Sequence, residues 1–401
     1  MDDQVQQLLG NVFNPQNRRE LIKRAGALGL SVSALTTLLE ACGSSSSTTA
    51  SSTPGNVNLA GPIDLQTLIT NAKKEGGLQA VGIPPEWANY VEILANYAKK
   101  YVPIDYKADA EFPSAQIVDV FIKSKNQNPP YGDVGDVGFT WGPKVIAQDL
   151  VSPYKHANWA DVPDSLKDPN GYWCTEYWGA QAFVVNTDVI KNPPTSFKDL
   201  LNNSYPNQVG IDGDPRQASD ALNAVYAAAL AQSGNTDSIQ PGIDFFGKLK
   251  AKGNWTPARA NEANITKGEV PIAIIWDYLG LGYRDKYASS GPKITVTIPS
   301  DGSVAGPYIA IINKRAPHPY AARLWVEYLL SDEGQLLFLK GYAHPVRYQK
   351  LADTGKIPAE LANKLPPATA YKAVQFVSDP NKLNAANDTL GKNWQSVLGQ
   401  Y

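Results

Sequence analysis

Beyond residue 60, the chain alternates between short apolar runs and longer segments in which apolar side chains recur every three or four residues. Because residues at that spacing share one face of a helix, the pattern predicts helices over residues 63–74, 86–101 and 114–126. The short apolar runs predict strands over residues 78–82, 102–106 and 133–138. Strands and helices that alternate in this way are typical of parallel βαβ units, which predicts an α/β fold.

A second α/β region follows from about residue 180 to residue 300, without an internal sequence repeat. Apolar runs predict strands over 181–186, 209–212, 270–276 and, further on, 303–312. Helical spacing predicts helices over 196–201, 220–231, 243–250, 320–330 and 333–341. Ser196 is predicted to cap the first of these helices, with Asp199 near its positive end.

The first forty residues are predicted to be an export signal rather than part of the folded protein. The pair Arg18-Arg19 followed by Lys23 resembles a twin-arginine signal, and the uncharged run over 25–39 is too short to span a bilayer. Residues 39–43 resemble a lipobox, which predicts lipidation of Cys42, although Glu40 occupies a position that is usually small or apolar. We therefore expect a lipoprotein signal peptide over 1–41 and a Ser/Thr-rich tether over 42–62. The alternative is a buried N-terminal helix that contains a chance cysteine.

Composition and charge exclude several classes of function. The chain of 401 residues is long enough for two domains, and its net charge of −2 predicts no nucleic-acid partner. Its cysteines are Cys42 and Cys174, which excludes a disulfide framework, and three histidines leave little for a metal site. We therefore expect no metal and no cofactor, and we expect Cys174 to be an inert buried thiol.

Several segments between about residues 63 and 350 resemble the extracellular solute-binding proteins of ABC importers. The nearest branches take up polyamines, ferric iron, thiamine or aminoethylphosphonate. The segments that carry this resemblance are SFKDLL at 196–201, VGI at 209–211, WDY at 276–278, APHPYAARLW at 316–325, LLSDEGQ at 329–335 and GYAHPVR at 341–347.

The resemblance implies the α/β, two-lobed type II periplasmic-binding-protein fold with crossing hinge strands. Lobe I would comprise residues 63–179 and 303–345, and lobe II residues 180–302 and 346–401 with the C-terminal helices. The first crossing is expected near 179–185 and the return near 298–306. Ligand would bind between the lobes, and the lobes would close on it.

The position of the ligand site follows from topology. In open parallel sheets, ligands bind beyond the carboxyl ends of the strands, where loops meet the starts of helices. That rule selects the loops 84–87, 111–114, 140–141, 212–219, 276–278 and 306–308. The predicted ligand-binding residues in these loops are Glu86, Trp87, Glu111, Ser114, Trp141, Asp214, Ser219, Trp276, Asp277 and Tyr308.

These loops are rich in carboxylates and aromatic rings and contain one cation, Arg216. Carboxylates fix ammonium groups and aromatic faces attract them, which favours a polyamine-like ligand. Polyamine-binding relatives place an aromatic and a polar residue where this chain has Trp276 and Asp277, but no acid lies beside Tyr308 as it does in them. Packing for Trp276, helix capping for Asp277 and a first-turn position for Glu86 remain alternatives.

Other ligands remain open at this stage. An anion such as an organophosphonate would use hydroxyls at helix starts, namely Ser114, Thr140 and Ser219, together with Arg216. Ferric-iron relatives commonly use adjacent tyrosines, and this chain has no Tyr-Tyr pair. Thiamine, or a sugar stacked on tryptophan, completes the range.

The predicted function is that of a receptor and not of an enzyme. The sequence has no nucleophile elbow, zinc-protease motif, phosphate-binding loop or dinucleotide motif. We expect a monomer anchored by lipid outside the cytoplasmic membrane, or a periplasmic protein, that delivers a small ligand to ABC permease subunits. A secreted hydrolase and a solute sensor that serves no importer are the alternatives of another class.

Overall fold

The computed structural model describes residue 59 and residues 61–372, 374–377 and 379–399, all within one compact unit. The predicted signal peptide over 1–41, the predicted lipidation site Cys42 and nearly all of the predicted tether lie outside the described residues. In the part of the chain that is described, no helix is long and apolar enough to cross a membrane.

The strands of the described residues form one mixed sheet of ten strands. In chain order they are β1 (Leu78–Val81), β2 (Ile104–Asp105), β3 (Val134–Gly138), β4 (Cys174–Asn186), β5 (Val209–Ile211), β6 (Ile272–Trp276), β7 (Ile294–Thr297), β8 (Ser303–Ile312), β9 (His344–Pro345) and β10 (Val374–Phe376). Hydrogen-bonded neighbours follow the order β2-β1-β3-β8-β4-β6-β5. The pairs β1–β2, β1–β3 and β5–β6 are parallel, as the alternation of strands and helices predicted.

Helices connect the strands and cover the sheet. In chain order they are α1 (Leu65–Glu75), α2 (Tyr90–Lys100), α3 (Ser114–Ser124), α4 (Gly142–Ala147), α5 (Phe197–Asn202), α6 (Ser219–Ser233), α7 (Gln240–Ala251), α8 (Glu262–Lys267), α9 (Asp277–Lys286), α10 (Pro319–Leu329), α11 (Asp332–Lys340), α12 (Tyr348–Asp353), α13 (Ala359–Ala362) and α14 (Pro380–Leu398). Ser196 caps α5, since its hydroxyl accepts from the backbone N–H of Asp199 at 3.1 Å.

Helix α2 differs from its prediction, because it begins at Tyr90 and not at residue 86. Ala88 and Asn89 have positive φ angles of 47° and 66°, a left-handed conformation that a right-handed helix cannot include. Asn89 is held there by its side-chain amide, which donates to the carbonyl of Leu337 at 3.1 Å. The residues before Tyr90 therefore form turns that bring Trp87 to the edge of the sheet.

Strand β4 crosses between the two halves of the sheet. Its residues 174–180 pair with β8, and its residues 181–186 pair with β6 and β7. Strand β8 in turn pairs with β10 through residues 303–305 and with β3 through residues 308–312. These two long strands are the crossing strands that the fold prediction requires, and the change of partner in β4 lies within the predicted range 179–185.

Alternate side chains of the central strands enter two hydrophobic clusters. In β4, Phe183 and Val185 pack into one cluster, and Val184 between them packs into the other. Successive side chains of a strand point to opposite faces, so the sheet is covered on both faces. This burial explains why its strands read as continuous apolar runs in the sequence.

Candidate functional site

A cavity of about 230 Å³ lies where the ends of β1, β3 and β5 meet the starts of α3 and α6. This is the position that the topological rule for parallel sheets selects. Its lining residues are Gly82, Pro84, Trp87, Ala110, Glu111, Phe112, Pro113, Ser114, Asp136, Asp212, Gly213, Asp214, Gln217, Ala218, Ser219, Asp220, Arg259 and Tyr308.

The structure brings six of the ten predicted ligand-binding residues together in this cavity, namely Trp87, Glu111, Ser114, Asp214, Ser219 and Tyr308. Four others lie outside its lining, namely Glu86, Trp141, Trp276 and Asp277. Glu86 instead lines a second cavity of about 380 Å³ beside α9, because it precedes the turns at Ala88 and Asn89. Trp141 is half-buried, with the Lys144 ammonium 4.4 Å from its ring centroid.

Trp276 supports the cavity from behind. It is fully buried, and its indole N–H donates to the Tyr308 hydroxyl at 3.2 Å. A Cβ atom at Gly306 would lie 2.0 Å from the Trp276 ring, so only glycine lets the ring pack there. Tyr308 therefore lines the cavity, and Trp276 lies behind it and fixes its hydroxyl by this hydrogen bond.

Asp277 ties the start of α9 to the crossing strand. Its carboxylate accepts from the backbone N–H of Ala180 at 2.9 Å and from the Tyr371 hydroxyl at 2.8 Å. It also lies 3.2 Å from Nε2 of His344, whose ring stacks on Trp178 with centroids 3.7 Å apart. Asp277 is fully buried and these contacts lie inside the protein, so its carboxylate connects α9 to β4 and does not line the cavity.

Sequence reasoning missed four charged lining residues: Asp136, Asp212, Asp220 and Arg259. Asp212 lies in the loop 212–219, which the topological rule selects, but it is not among the ten predicted ligand-binding residues. Asp136 lies inside the buried strand β3. An acid within an apolar strand is itself a signal, since burying a carboxylate is unfavourable without a partner. Arg259 is far in sequence from every predicted strand end, so no pattern pointed to it.

Asp136 lies at the base of the cavity with one oxygen bound and one oxygen open. Oδ2 accepts from the hydroxyls of Tyr90 and Tyr177, each at 3.1 Å, and Oδ1 has no hydrogen-bond partner among the described residues. Burial raises the pKa of Asp136 to about 7, although the two tyrosine hydrogen bonds lower it.

Asp220 repeats this arrangement at the first turn of α6. Its Oδ1 accepts from Nε2 of Gln181 at 2.5 Å, whereas Oδ2 has no partner among the described residues. Burial raises the pKa of Asp220 well above its ordinary value, and the nearby charge of Asp212 raises it further. The cavity therefore contains two desolvated carboxyl groups that each present an unsatisfied oxygen.

The cations near the cavity are already engaged by acids. Arg259, the one cation among the lining residues, bonds through Nε to Asp212 at 2.5 Å and lies 3.9 Å from Glu111. Arg216, the one cation in the loops that the topological rule selects, lies outside the lining and pairs with Asp214 at 2.5 Å. Among the described residues, neither Asp136 nor Asp220 forms an ion pair, although the charge of Arg259 lowers the pKa of Asp220. Acids outnumber the one cation in the lining, so the cavity is acidic.

Two serines lie at the starts of α3 and α6. The Ser114 and Ser219 hydroxyl oxygens are 3.1 Å apart, and Ser114 also accepts from the backbone N–H of Gly138 at 3.1 Å. A Cβ atom at Gly138 would lie 1.9 Å from the Ser219 hydroxyl, so glycine is needed there for the two helices to approach β3. In the described chain, no three His, Cys, Asp or Glu side chains are grouped so as to hold a metal ion.

Cys174 is free and buried, and lies 3.5 Å from Nε2 of His156. Burial raises the pKa of the thiol and lowers the pKa of His156 to about 3, so both groups are neutral at pH 7. A thiolate–imidazolium pair, which a cysteine nucleophile needs, does not form between these two residues.

The buried Asp136 predicts a pH dependence of stability. Its pKa in the folded protein, about 7, exceeds the ordinary value of 3.8, so its contribution to stability is full below pH 3.8 and is lost as pH rises through 7. Asp136→Asn removes this titration. We expect the free energy of unfolding of the variant to gain on that of the wild type as pH rises, by up to about 1.4 kcal/mol per pH unit.

Urea unfolding of both proteins without ligand, from about pH 4 to about pH 8, measures this difference. Asp119→Asn, which changes an exposed acid on α3, is the matched control and should show no such trend. A constant difference between Asp136→Asn and the wild type across this range would contradict the raised pKa.

Two known proteins resemble parts of this chain. A periplasmic protein of Salmonella typhimurium that is named for 2-aminoethylphosphonate binding is 23% identical over 219 residues, which are 53% of this chain and 61% of that protein. A putrescine/agmatine-binding protein of Pseudomonas aeruginosa is 24% identical over 207 residues, 47% of this chain and 55% of that protein. The matches thus span about three fifths of the length of these relatives.

Solved structures show the same fold. The periplasmic binding protein of Actinobacillus pleuropneumoniae with bound fructose-6-phosphate superimposes with a TM-score of 0.63 at 19% identity, over 81% of this chain and 98% of that one. Its likeness confirms the two-lobed fold. The family model described as bacterial extracellular solute-binding protein matches residues 117–376. The chain therefore belongs to the bacterial extracellular solute-binding proteins.

Proposed function

We propose that this protein is the extracytoplasmic receptor of an ABC importer and that its ligand is a small, polyamine-like molecule with at least one ammonium group. The observation that carries the ligand class is the pair of buried, unpartnered carboxylate oxygens in one cavity, Oδ1 of Asp136 and Oδ2 of Asp220. An ammonium group donates three hydrogen bonds and carries a positive charge, so it would supply both the donor and the counter-charge that these two buried acids do not have.

The aromatic wall of the cavity supports the same ligand class. The Trp87 ring meets the Tyr308 ring edge-on, with centroids 5.9 Å apart, and both residues line the cavity. Aromatic faces attract cations and also cover the methylene chain between the ends of a diamine. The putrescine/agmatine-binding relative from Pseudomonas aeruginosa agrees with this choice.

The division into lobes and the mode of anchoring are parts of the proposal. Lobe I would contain residues 63–179 and 303–345, and lobe II residues 180–302 and 346–401. The cavity would close when ligand contacts both lobes, because only a ligand that binds the closed form more tightly shifts the equilibrium. The signal peptide would direct export, Cys42 would carry the lipid anchor, and a monomer would deliver ligand to the permease subunits.

A second candidate is an aminoalkylphosphonate, and the paired hydroxyls of Ser114 and Ser219 favour it. Both hydroxyls lie at the starts of helices, where backbone N–H groups and the helix dipole attract anions. Such a ligand would place its ammonium group at Asp136 and its phosphonate at the serines. The Salmonella typhimurium relative is named for a compound of this class.

Thermal unfolding with matched pairs of compounds tests both candidates. We expect putrescine to raise the unfolding midpoint and 1,4-butanediol, which replaces both ammonium groups by hydroxyls, to have no effect. Ligand at a hundredfold over its dissociation constant stabilises the folded state by about 2.7 kcal/mol, enough for a shift of several degrees.

The second pair is 2-aminoethylphosphonate and ethylphosphonate, which lacks the ammonium group. A shift with 2-aminoethylphosphonate alone, among all four compounds, supports the second candidate. Ferric citrate is measured as a fifth compound. Stabilisation by ethylphosphonate as strong as that by 2-aminoethylphosphonate, or stabilisation by ferric citrate alone, would overturn the proposal that an ammonium group binds at Asp136 and Asp220.

A further inference from the structure

Glu176 is a buried acid that lies behind the cavity wall. Its exposed fraction is 1%, and the register of β4 against β8 shifts between Thr175 and Tyr177, which places Glu176 in a β-bulge. Consecutive side chains of a regular strand point to opposite faces, whereas a bulge re-aims a side chain. Here Glu176 and Tyr177 both reach Tyr90, by a 2.8 Å contact to its hydroxyl and by ring centroids 6.0 Å apart.

The Tyr90 hydroxyl lies between two carboxyl groups but has one hydrogen to donate. Its oxygen is 2.8 Å from Oε2 of Glu176 and 3.1 Å from Oδ2 of Asp136. If both acids were ionised, one would face an oxygen lone pair, and two negative charges would be buried together. If Glu176 is neutral, its O–H donates to Tyr90 and Tyr90 donates to Asp136, so each contact is a hydrogen bond.

No basic group competes for this arrangement. Among the described residues, no lysine, arginine or histidine forms an ion pair with Glu176 or Asp136, and Arg259, on the same cavity wall as Asp136, is paired with Asp212. Burial raises the pKa of Glu176, and the charge of Asp136 raises it further. The charges of Glu176 and Asp136 act on Cys174, Tyr177, Tyr278 and Tyr308, and burial raises the pKa of each of these four groups, so all are neutral at pH 7.

The position of the Tyr90 hydroxyl is set by packing. The Tyr90 ring meets Phe338 edge-on at 5.5 Å between centroids and lies parallel to Trp325 at 6.5 Å, and it has no exposed surface. Because packing fixes the ring, the hydroxyl can change only the direction of its O–H bond. That direction depends on whether Glu176 donates a hydrogen bond to the hydroxyl or accepts one from it.

We propose that Glu176 remains protonated and donates to the Tyr90 hydroxyl. The Tyr90 O–H then donates to Oδ2 of Asp136, and Oδ1 of Asp136 stays open for the ligand. Glu176 is then a positioning residue that acts through Tyr90, without touching ligand. The position of the proton follows from the contacts among Glu176, Tyr90 and Asp136 alone. The effect of Glu176 on binding rests on the proposed function.

Infrared spectroscopy of the ligand-free protein at about pH 8 tests the proton placement. We expect the wild-type-minus-Glu176→Gln difference spectrum to show the C=O stretching band of a protonated carboxyl group. Tyr90→Phe should shift that band to higher frequency, because the acid loses its hydrogen-bond acceptor. The exposed Glu269 supplies the control, Glu269→Gln, which should give no such band. A difference spectrum with only a carboxylate band would overturn the proposal.

Titration with putrescine tests the effect on binding. Glu176→Leu should weaken binding at least tenfold, and Glu176→Gln, whose amide N–H can donate to Tyr90, should recover most of that loss. Equal affinities in both variants and in the wild type would overturn the positioning role. If Glu176→Leu does not fold, Tyr90→Phe takes its place, and wild-type affinity in that variant would also overturn the positioning role. If putrescine fails to bind the wild type, the proposed function fails for this ligand, and the infrared result still decides where the proton lies.

Discussion

Asp136→Asn is expected to weaken putrescine binding by about 2–3 kcal/mol, which is about 30- to 150-fold, while the folded protein without ligand becomes more stable at pH 8. The open Oδ1 of Asp136 is the oxygen that an ammonium group would satisfy, and hydrogen bonds to charged groups contribute about this much. The gain in stability follows because the variant no longer buries a charge. A variant that is more stable but binds more weakly would show that Asp136 serves binding at a cost in stability.

Isothermal titration of the wild type, Asp136→Asn, Asp220→Asn and the double variant with putrescine measures this effect. We expect Asp220→Asn to lower affinity as well, since its Oδ2 is the second unpartnered oxygen of the cavity. Asp119→Asn, which removes one negative charge from the surface of α3, controls for a general loss of charge and should bind like the wild type. Wild-type affinity in both Asp136→Asn and Asp220→Asn would show that the ammonium group does not bind at these acids.

Trp276→Ala is expected to lower the free energy of unfolding by about 3–5 kcal/mol, the range for removing a fully buried tryptophan. The ring fills the space that Gly306 leaves open, stacks on Tyr278 with centroids 6.5 Å apart and donates to Tyr308. Its loss would leave a cavity between β6 and β8 and free the Tyr308 hydroxyl. Loss of ligand affinity would follow from movement of Tyr308, not from a lost contact with ligand.

Urea unfolding followed by far-ultraviolet circular dichroism measures this loss of stability. Trp276→Phe, which keeps an aromatic ring but removes the indole N–H, should lose less than the alanine variant. Val91→Ala changes a side chain that is 61% exposed and should change stability by less than about 0.5 kcal/mol. If Trp276→Ala kept wild-type stability and lost putrescine binding, Trp276 would act as a ligand residue, as its place at the end of a strand had predicted.

The α/β class and the place of the site could be predicted because both follow from local patterns. The apolar runs of β3 and β6 and the helical spacing of α3 and α10 indicate their structures without knowledge of neighbours. The rule that ligands bind at strand ends requires only the order of elements. It predicted that Ser114, Ser219 and Tyr308 lie near one site although they are far apart in the sequence, and all three line the cavity.

The same rule selected Trp276 and Asp277, which lie at the right place along the chain but face the interior. Trp276 is the last residue of β6, and the strand directs its ring toward Gly306 and Tyr308. Asp277 is the first residue of α9, and its carboxylate bonds to Ala180 of the crossing strand. Position along the chain predicts proximity to a site, but the direction of a side chain depends on the packed neighbours.

By itself, the sequence determined the α/β fold, the family resemblance and the sheet edge where the cavity forms, because periodicity and strand order are properties of local residues. Only the tertiary structure decided which acids face the cavity. Asp136 and Asp220 acquire raised pKa values and open oxygens from burial, and Glu176 reaches Tyr90 through a bulge in the pairing of β4 with β8. Burial, register and hydrogen-bond partners arise between residues that are distant in the chain, so no local pattern contains them.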